Sequence, residues 1–284
     1  MDKRMHEMRS ALLIAFVIAL AVVVGCSSKD VVTGLSADER FQRAKALFDD
    51  GDYLEAIQEF NIITVQHSGS SLAAEAQYYI AEARFQRKEY LLASYEYQTL
   101  RRNMPTSPKA AEAMYKIGLC YYYLSPKSCL DQQYTKRAID ELQAFVEYYP
   151  KSEYVADATE KIRELTTRLA KRDFETAELY AKMDSYKSAI FYYDLVIEKY
   201  HDTEYAPMAY LAKTELLISR RKYREAKAEI TRFIEKYPSS VLRGRADKLN
   251  AQIDEALKRE PAARGNASGS TSSGSRGALL LQSR

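Results

Sequence analysis

The chain has 284 residues, enough for one large or two small domains. Its 42 basic and 39 acidic side chains give a formal net charge of +3. Without the first 25 residues and the Gly/Ser/Arg-rich stretch after Pro261, the remainder carries about −1. Nucleic-acid binding requires a strong basic excess, so this charge balance argues against a nucleic-acid partner.

Residues 1–25 predict a lipoprotein signal peptide. A mildly basic start precedes an apolar run, residues 11–24, which has the length of a secretory h-region and is short for a permanent membrane span. A retained N-terminal membrane anchor is the alternative. The run "VVGC" ending at Cys26 resembles a bacterial lipobox, which implies cleavage after Gly25 and acylation of Cys26. Several acyl chains together hold a protein stably in a membrane. Residues 26–36 are therefore expected to be a lipidated linker between the membrane and the folded part.

The following sequence predicts five helix pairs. Each of five segments has a small residue at one register, and within each run of consecutive segments these residues are 37 apart. In four segments a tyrosine follows nine residues later and an alanine three after that. The register residues are Ala44, Ala81, Gly118, Ala177 and Thr214. This design resembles the tetratricopeptide repeat, which implies an all-α, right-handed superhelix of five tetratricopeptide-like helix pairs.

Two departures from the spacing divide the repeats. Repeat three has eight extra residues near 125–135, and fourteen extra residues fall in 153–183, which has no Pro or Gly. The second predicts a long helix between repeats three and four, separating repeats one to three (37–152) from the long helix and repeats four and five (153–260). Residues 261–284 are Gly/Ser-rich and are expected to be a disordered tail.

The chain carries no recognisable catalytic or metal-binding motif, so neither an enzyme nor a cofactor is predicted. His67 and His201 both fall at expected repeat ends. Cys120 and Cys129 admit two interpretations: a buried small residue with a separate loop residue, or a disulfide that pins the insertion.

Aromatic residues mark one face of the first helix in repeats one to three. One set lies three residues before the register residue and the other four residues after it, so the two share a helix face. The sets are Phe41, Tyr78 and Tyr115, and Phe48, Phe85 and Tyr122. This pattern predicts a candidate peptide groove; the alternative is that the rings pack between neighbouring helices.

Residues from about 35 to 258 resemble the BamD, or ComL, family of outer-membrane assembly lipoproteins. The most specific stretches are "DQQYTKRAIDELQAF" and "YYPKSEYVADATEKIRELTTRLAKRDFETAELYAKMDSY". The resemblance implies a lipid-anchored protein on the periplasmic face of the outer membrane that aids β-barrel insertion without catalysis. It further implies that repeats one to three bind unfolded barrel proteins and that repeats four and five bind the complex, through the periplasmic POTRA domains of BamA. Other Bam lipoproteins stay open as partners.

Two further function classes stay open at this point. One is a tetratricopeptide lipoprotein of another envelope complex, in pilus-secretin assembly or peptidoglycan-synthesis coordination. The other, a periplasmic hydrolase, would require a catalytic constellation that the sequence does not contain.

Overall fold

A computed structural model describes residues 34–259, and within them the chain is helical with no strand. The predicted signal peptide, the acylated Cys26 and the predicted tail lie outside the described residues. The eleven helices described are α1 Ala37–Asp50, α2 Tyr53–Gln66, α3 Ala73–Gln86, α4 Tyr90–Asn103, α5 Ala110–Leu124, α6 Gln133–Tyr148, α7 Val155–Lys182, α8 Tyr186–Lys199, α9 Tyr205–Ser219, α10 Tyr223–Lys236 and α11 Arg243–Arg259. The all-α prediction of five helix pairs is confirmed for this part of the chain.

The chain forms two compact units that divide after Glu89. The described part of the first contains α1 to α3, and that of the second contains α4 to α11. The division that the sequence predicts after residue 152 lies within the second unit, where α7 packs on both α6 and α8.

The register residues are buried in every repeat. Ala44, Ala81, Ala177 and Thr214 have no exposed surface, and Gly118 is also buried. The alanines at the corresponding position of the second helices have no exposed surface either: Ala56, Ala93, Ala138, Ala189 and Ala226. Within each unit, small side chains therefore line the seams between packed helices, as the spacing predicts.

Four of the five pairs are joined by the same tight turn. One residue of each turn has a positive φ, between 58° and 88°, and the helix of the next tyrosine starts two residues later. These residues are Gly51, Lys88, Asp184 and Arg221. The amide that follows each donates 2.9 Å to a carbonyl five residues back, which satisfies one of the helix-end acceptors. The repeated tyrosine thus marks the start of each second helix.

The long helix has 28 residues and is itself the first helix of pair four, since Ala177 lies in its last turns. The extra residues extend it towards repeat three. A further helix, α11, follows pair five and buries Ala246 and Ile253 against it. The repeat spacing alone does not separate this closing helix from repeat five.

No helix within residues 34–259 combines the length and the apolar character that a membrane span requires.

Candidate functional site

In the first unit, the two predicted groove rings of α1 pack around Tyr79 of α3. Phe41 is 7% exposed, and its ring lies 5.5 Å from Phe60 and 6.0 Å from Tyr79, both edge-on. Phe48 is half-buried, 5.2 Å from the same tyrosine. The Lys45 ammonium lies 5.3 Å from the centre of the Tyr79 ring, within cation–π range. Phe41 is therefore a core residue, whereas Phe48 retains accessible surface.

Helix α3 shows the same division. Tyr78 is 5% exposed, and its ring lies 5.7 Å from Tyr79. Phe85, seven residues further on, is half-buried. On both helices the earlier ring of the predicted pair is buried and the later one is partly accessible.

In the second unit, Tyr115 of α5 is enclosed by the start of α7. Its ring is 6% exposed, stacks on Tyr154 at 4.7 Å, and contacts Phe145 of α6 at 5.5 Å. The Tyr115 hydroxyl donates to the carboxylate of Asp157. Burial, together with this carboxylate, raises the pKa of Tyr115 well above its usual value. Tyr115 therefore ties α5 to α7.

Tyr122 makes a second contact between α5 and α7, two turns further along both helices. Its hydroxyl donates to a Glu164 carboxylate oxygen at 2.6 Å, and the Lys161 ammonium lies 5.1 Å from the ring centre. The hydrogen bond to Glu164 and burial raise the pKa of Tyr122 to about 12. Unlike Tyr115, Tyr122 is only half-buried, so a ligand could still reach its ring.

The six predicted groove residues thus fall into two classes. Phe41, Tyr78 and Tyr115 have the packing role that the sequence left as an alternative. Phe48, Phe85 and Tyr122 are the members with accessible surface. The sequence could not distinguish the two sets, because the rings that cover Phe41 and Tyr115 lie on other elements.

The insertion in repeat three forms a loop between α5 and α6 that is held by hydrogen bonds. Arg168 of α7 donates to the Ser125 hydroxyl at 2.7 Å and to the Ser125 and Pro126 carbonyls at 3.2 Å. Gln132 is 2% exposed and donates to the carbonyls of Lys127 and Leu130 at 2.8 and 2.9 Å. The repeat spacing indicates neither role, because the partners of Arg168 lie 42 and 43 residues earlier in the chain and the hydrogen bonds of Gln132 are local to the inserted loop.

Cys120 and Cys129 both keep their thiols, so the structure has the first of the two interpretations and no disulfide joins them. Cys120 is buried in α5, whereas Cys129 is exposed on the loop beyond the helix end.

A pocket of about 400 Å³ opens in the second unit between α7, α8, α9 and α11. Apolar side chains and two glutamates line it, and Glu215 pairs with Arg245 of α11 at 2.6 Å. Burial raises the pKa of Tyr193 in its wall to about 12, with further contributions from Glu178 and Glu215. No cluster of potential metal ligands occurs among residues 34–259.

Among the exposed large apolar side chains of the second unit, two sets lie on α4 and at the end of α7. On α4 these are Leu91, Leu92 and Tyr95, and at the end of α7 they are Leu179 and Met183, which are 55% and 65% exposed. Each set has members four residues apart, which places them on one helix face. Exposed apolar surface of this kind commonly marks protein contacts.

Residues 34–217 match the YfiO family, described as an outer membrane lipoprotein. The chain belongs to this family. The match runs from the first described residue into α9 and so covers four helix pairs and part of the fifth. This YfiO-family protein is therefore a BamD-like tetratricopeptide lipoprotein associated with the outer membrane.

A curated relative agrees with the family. The outer membrane protein assembly factor BamD of Caulobacter vibrioides is 27% identical over 229 residues, which cover 79% of this chain and 75% of that protein. Among solved structures, the TPR2AB domain of yeast Sti1 has a TM-score of 0.40 and 18% identity, covering 78% and 84% of the two chains. The tetratricopeptide protein TTC0263 of Thermus thermophilus has a TM-score of 0.33 and 17% identity, covering 78% and 100%.

Proposed function

We propose that this protein is the lipid-anchored scaffold of β-barrel assembly on the periplasmic face of the outer membrane, and that it acts by binding rather than by catalysis. The observation that carries the proposal is the relation to BamD, which extends over 79% of the chain. In this proposal Cys26 holds the lipid, and the periplasmic POTRA domains of BamA and unfolded barrel proteins are its partners. Further Bam lipoproteins can belong to the same complex.

The lipid anchor is tested by Cys26→Ala. We expect this variant to leave the membrane fraction in cells that lack the other Bam proteins, and to keep its helical circular dichroism. Wild-type protein in the same cells is the control. Retention of the folded variant in outer membranes would show that another segment holds the protein there.

Residues 153–260 are proposed to bind BamA. Supporting this assignment, Leu179 and Met183 expose apolar surface at the end of α7, where a partner could bury it. The experiment compares Leu179→Asp combined with Met183→Asp against a matched control, Leu91→Asp combined with Tyr95→Asp, which places the same two charges at the same spacing on exposed apolar positions of α4. Each tagged protein is purified from detergent-solubilised membranes.

The α7 variant is expected to lose BamA while the α4 control retains it. Every substituted position is half or more exposed, so the added charges should not prevent folding. Recovery of a secretin or a cell-wall synthase with the wild-type protein, in place of BamA, would establish the other envelope function. Equal BamA recovery with the α7 variant would place the docking surface elsewhere.

Residues 37–152 are proposed to bind unfolded barrel segments. Among the accessible aromatic residues here, Tyr122 is suited to a test because Tyr115 on the same helix provides a buried counterpart. Tyr122→Ala should weaken the binding of a barrel-derived peptide, measured by crosslinking, by about 1–2 kcal/mol, which is typical of an interface anchor. Tyr115→Ala, normalised to folded protein, should leave this crosslinking unchanged. The reverse result would exclude Tyr122 as a substrate contact.

A further inference from the structure

The pocket of the second unit has an apolar wall and one carboxylate with no cation against it. Phe174, Met208 and Leu216 contribute apolar surface. At the rim, Glu215 is neutralised by Arg245. Glu178 is half-buried and forms no ion pair or hydrogen bond with any residue from 34 to 259. The chemistry that fits is a short aliphatic segment next to a basic side chain.

The chain carries such a segment beyond α11. Residues 279–281 are three consecutive leucines, and Arg276 and Arg284 flank them on either side. No acidic residue follows Glu260, so nothing within this segment competes with Glu178 for the arginines. Its charge is opposite to that of the pocket rim.

The length of the intervening chain matches the distance to the pocket. Arg245, in the first turn of α11, lines the pocket, and Arg259 ends the helix fourteen residues later. The return path along α11 is therefore about 21 Å. Nineteen residues, 260–278, separate the helix from the leucines. A Gly/Ser-rich segment of that length has a root-mean-square span of about 24 Å, so the linkage gives a high effective concentration at the pocket.

We propose that residues 279–281 of this chain dock in the pocket between α7, α9 and α11, with a flanking arginine against Glu178. The leucines cover apolar surface contributed by Phe174, Met208 and Leu216. The contact is intramolecular and does not depend on the partners proposed above.

The test places a benzophenone amino acid at position 280 of the full-length lipoprotein in lipid nanodiscs. After irradiation, mass spectrometry locates the crosslink. We expect it within the same chain on α9, at Met208 or its neighbours. Glu178→Gln should reduce the yield and Ala212→Glu, which puts a charge among the apolar lining residues, should abolish it. Leu92→Glu on α4 serves as the control outside the pocket.

Hydrogen exchange provides a second measurement on the same protein. Deleting residues 277–284 should accelerate amide exchange in α9, whereas replacing Gln282 and Ser283 by alanine should not. Crosslinks between two chains, crosslinks outside the pocket, or a yield unaffected by Ala212→Glu would each overturn the proposal. Unchanged exchange in α9 after the deletion would do the same.

Discussion

Gly118 is the position at which one added methyl group should have the largest effect. It lies within α5 at the seam with α6. A Cβ atom there would lie 2.5 Å from Cδ2 and 2.6 Å from Cγ of Leu142, and 3.4 Å from the Leu142 backbone nitrogen. Leu142 is fully buried, so its side chain cannot move away from the added methyl group without repacking the core around it. The other repeats have alanine or threonine at this register, but Gly118→Ala should be destabilising.

Two opposing effects determine the size of this change. Overpacking a core by one methyl group costs about 1–3 kcal/mol, and a contact this short belongs in the upper part of that range. Replacing glycine by alanine inside a helix returns about 1 kcal/mol. The expected net loss in the free energy of unfolding is therefore about 1–2 kcal/mol.

Urea unfolding of the full-length chain, followed by circular dichroism and tyrosine fluorescence, measures this loss. Gly244→Ala is the control, because no atom lies within 4 Å of its added Cβ and α11 should gain slightly. Leu142→Ala alone should cost about 2–5 kcal/mol. The double variant Gly118→Ala, Leu142→Ala should lose less than the sum of the two, because the smaller side chain makes room for the methyl group. Strict additivity, or a Gly118→Ala protein as stable as wild type, would refute the reasoning.

Three further predictions concern the second unit. Tyr115→Ala should lower the free energy of unfolding by about 3–5 kcal/mol, as for other buried aromatic residues, and urea titration would show it; a change below 1 kcal/mol would mean that the ring is not enclosed. Burial tends to raise the pKa of Asp157, but hydrogen bonds from Lys161 and Tyr115 outweigh it and lower the pKa below its usual value. The resulting stability is present above the unfolded-state pKa and is lost as the pH falls through the folded-state pKa, so Asp157→Asn should flatten the decline of melting temperature below about pH 4; an unchanged decline would contradict this. Arg221→Gly should raise stability by up to about 1 kcal/mol, because φ there is 58°, whereas Arg172→Gly in the middle of α7 should lower it by a similar amount; equal signs would exclude backbone strain as the cause.

The seams between paired helices could be predicted from the sequence because close approach requires small side chains. Ala44 and Thr214 recur at one register, and the structure buries both completely. The need for glycine at 118 could not be predicted in the same way. It depends on how closely Leu142 approaches after the inserted loop, and spacing along the chain does not specify that distance.

The sequence predicts which helix face carries the candidate site, but not which of its rings are exposed. Tyr115 and Tyr122 share the expected face of α5, since seven residues are two helical turns. Whether each ring is covered depends on Tyr154 and Glu164, about 40 residues further along the chain. Helix α11 does have a local signal in the sequence, since Ala246 and Ile253 are seven residues apart and both are buried.

The ties between α5 and α7 also govern how mechanical force passes through the second unit. At about 42 Å, α7 is a single rod that is bonded to repeat three near its start and packed in pair four near its end. A force applied at Leu179 or Met183 would therefore act on the contacts near the start of α7. These are the tyrosine hydrogen bonds to Asp157 and Glu164 and the hydrogen bonds of Arg168 to the loop. Because α7 continues unbroken from repeat three into pair four, a force on pair four is transmitted along this helix to repeat three.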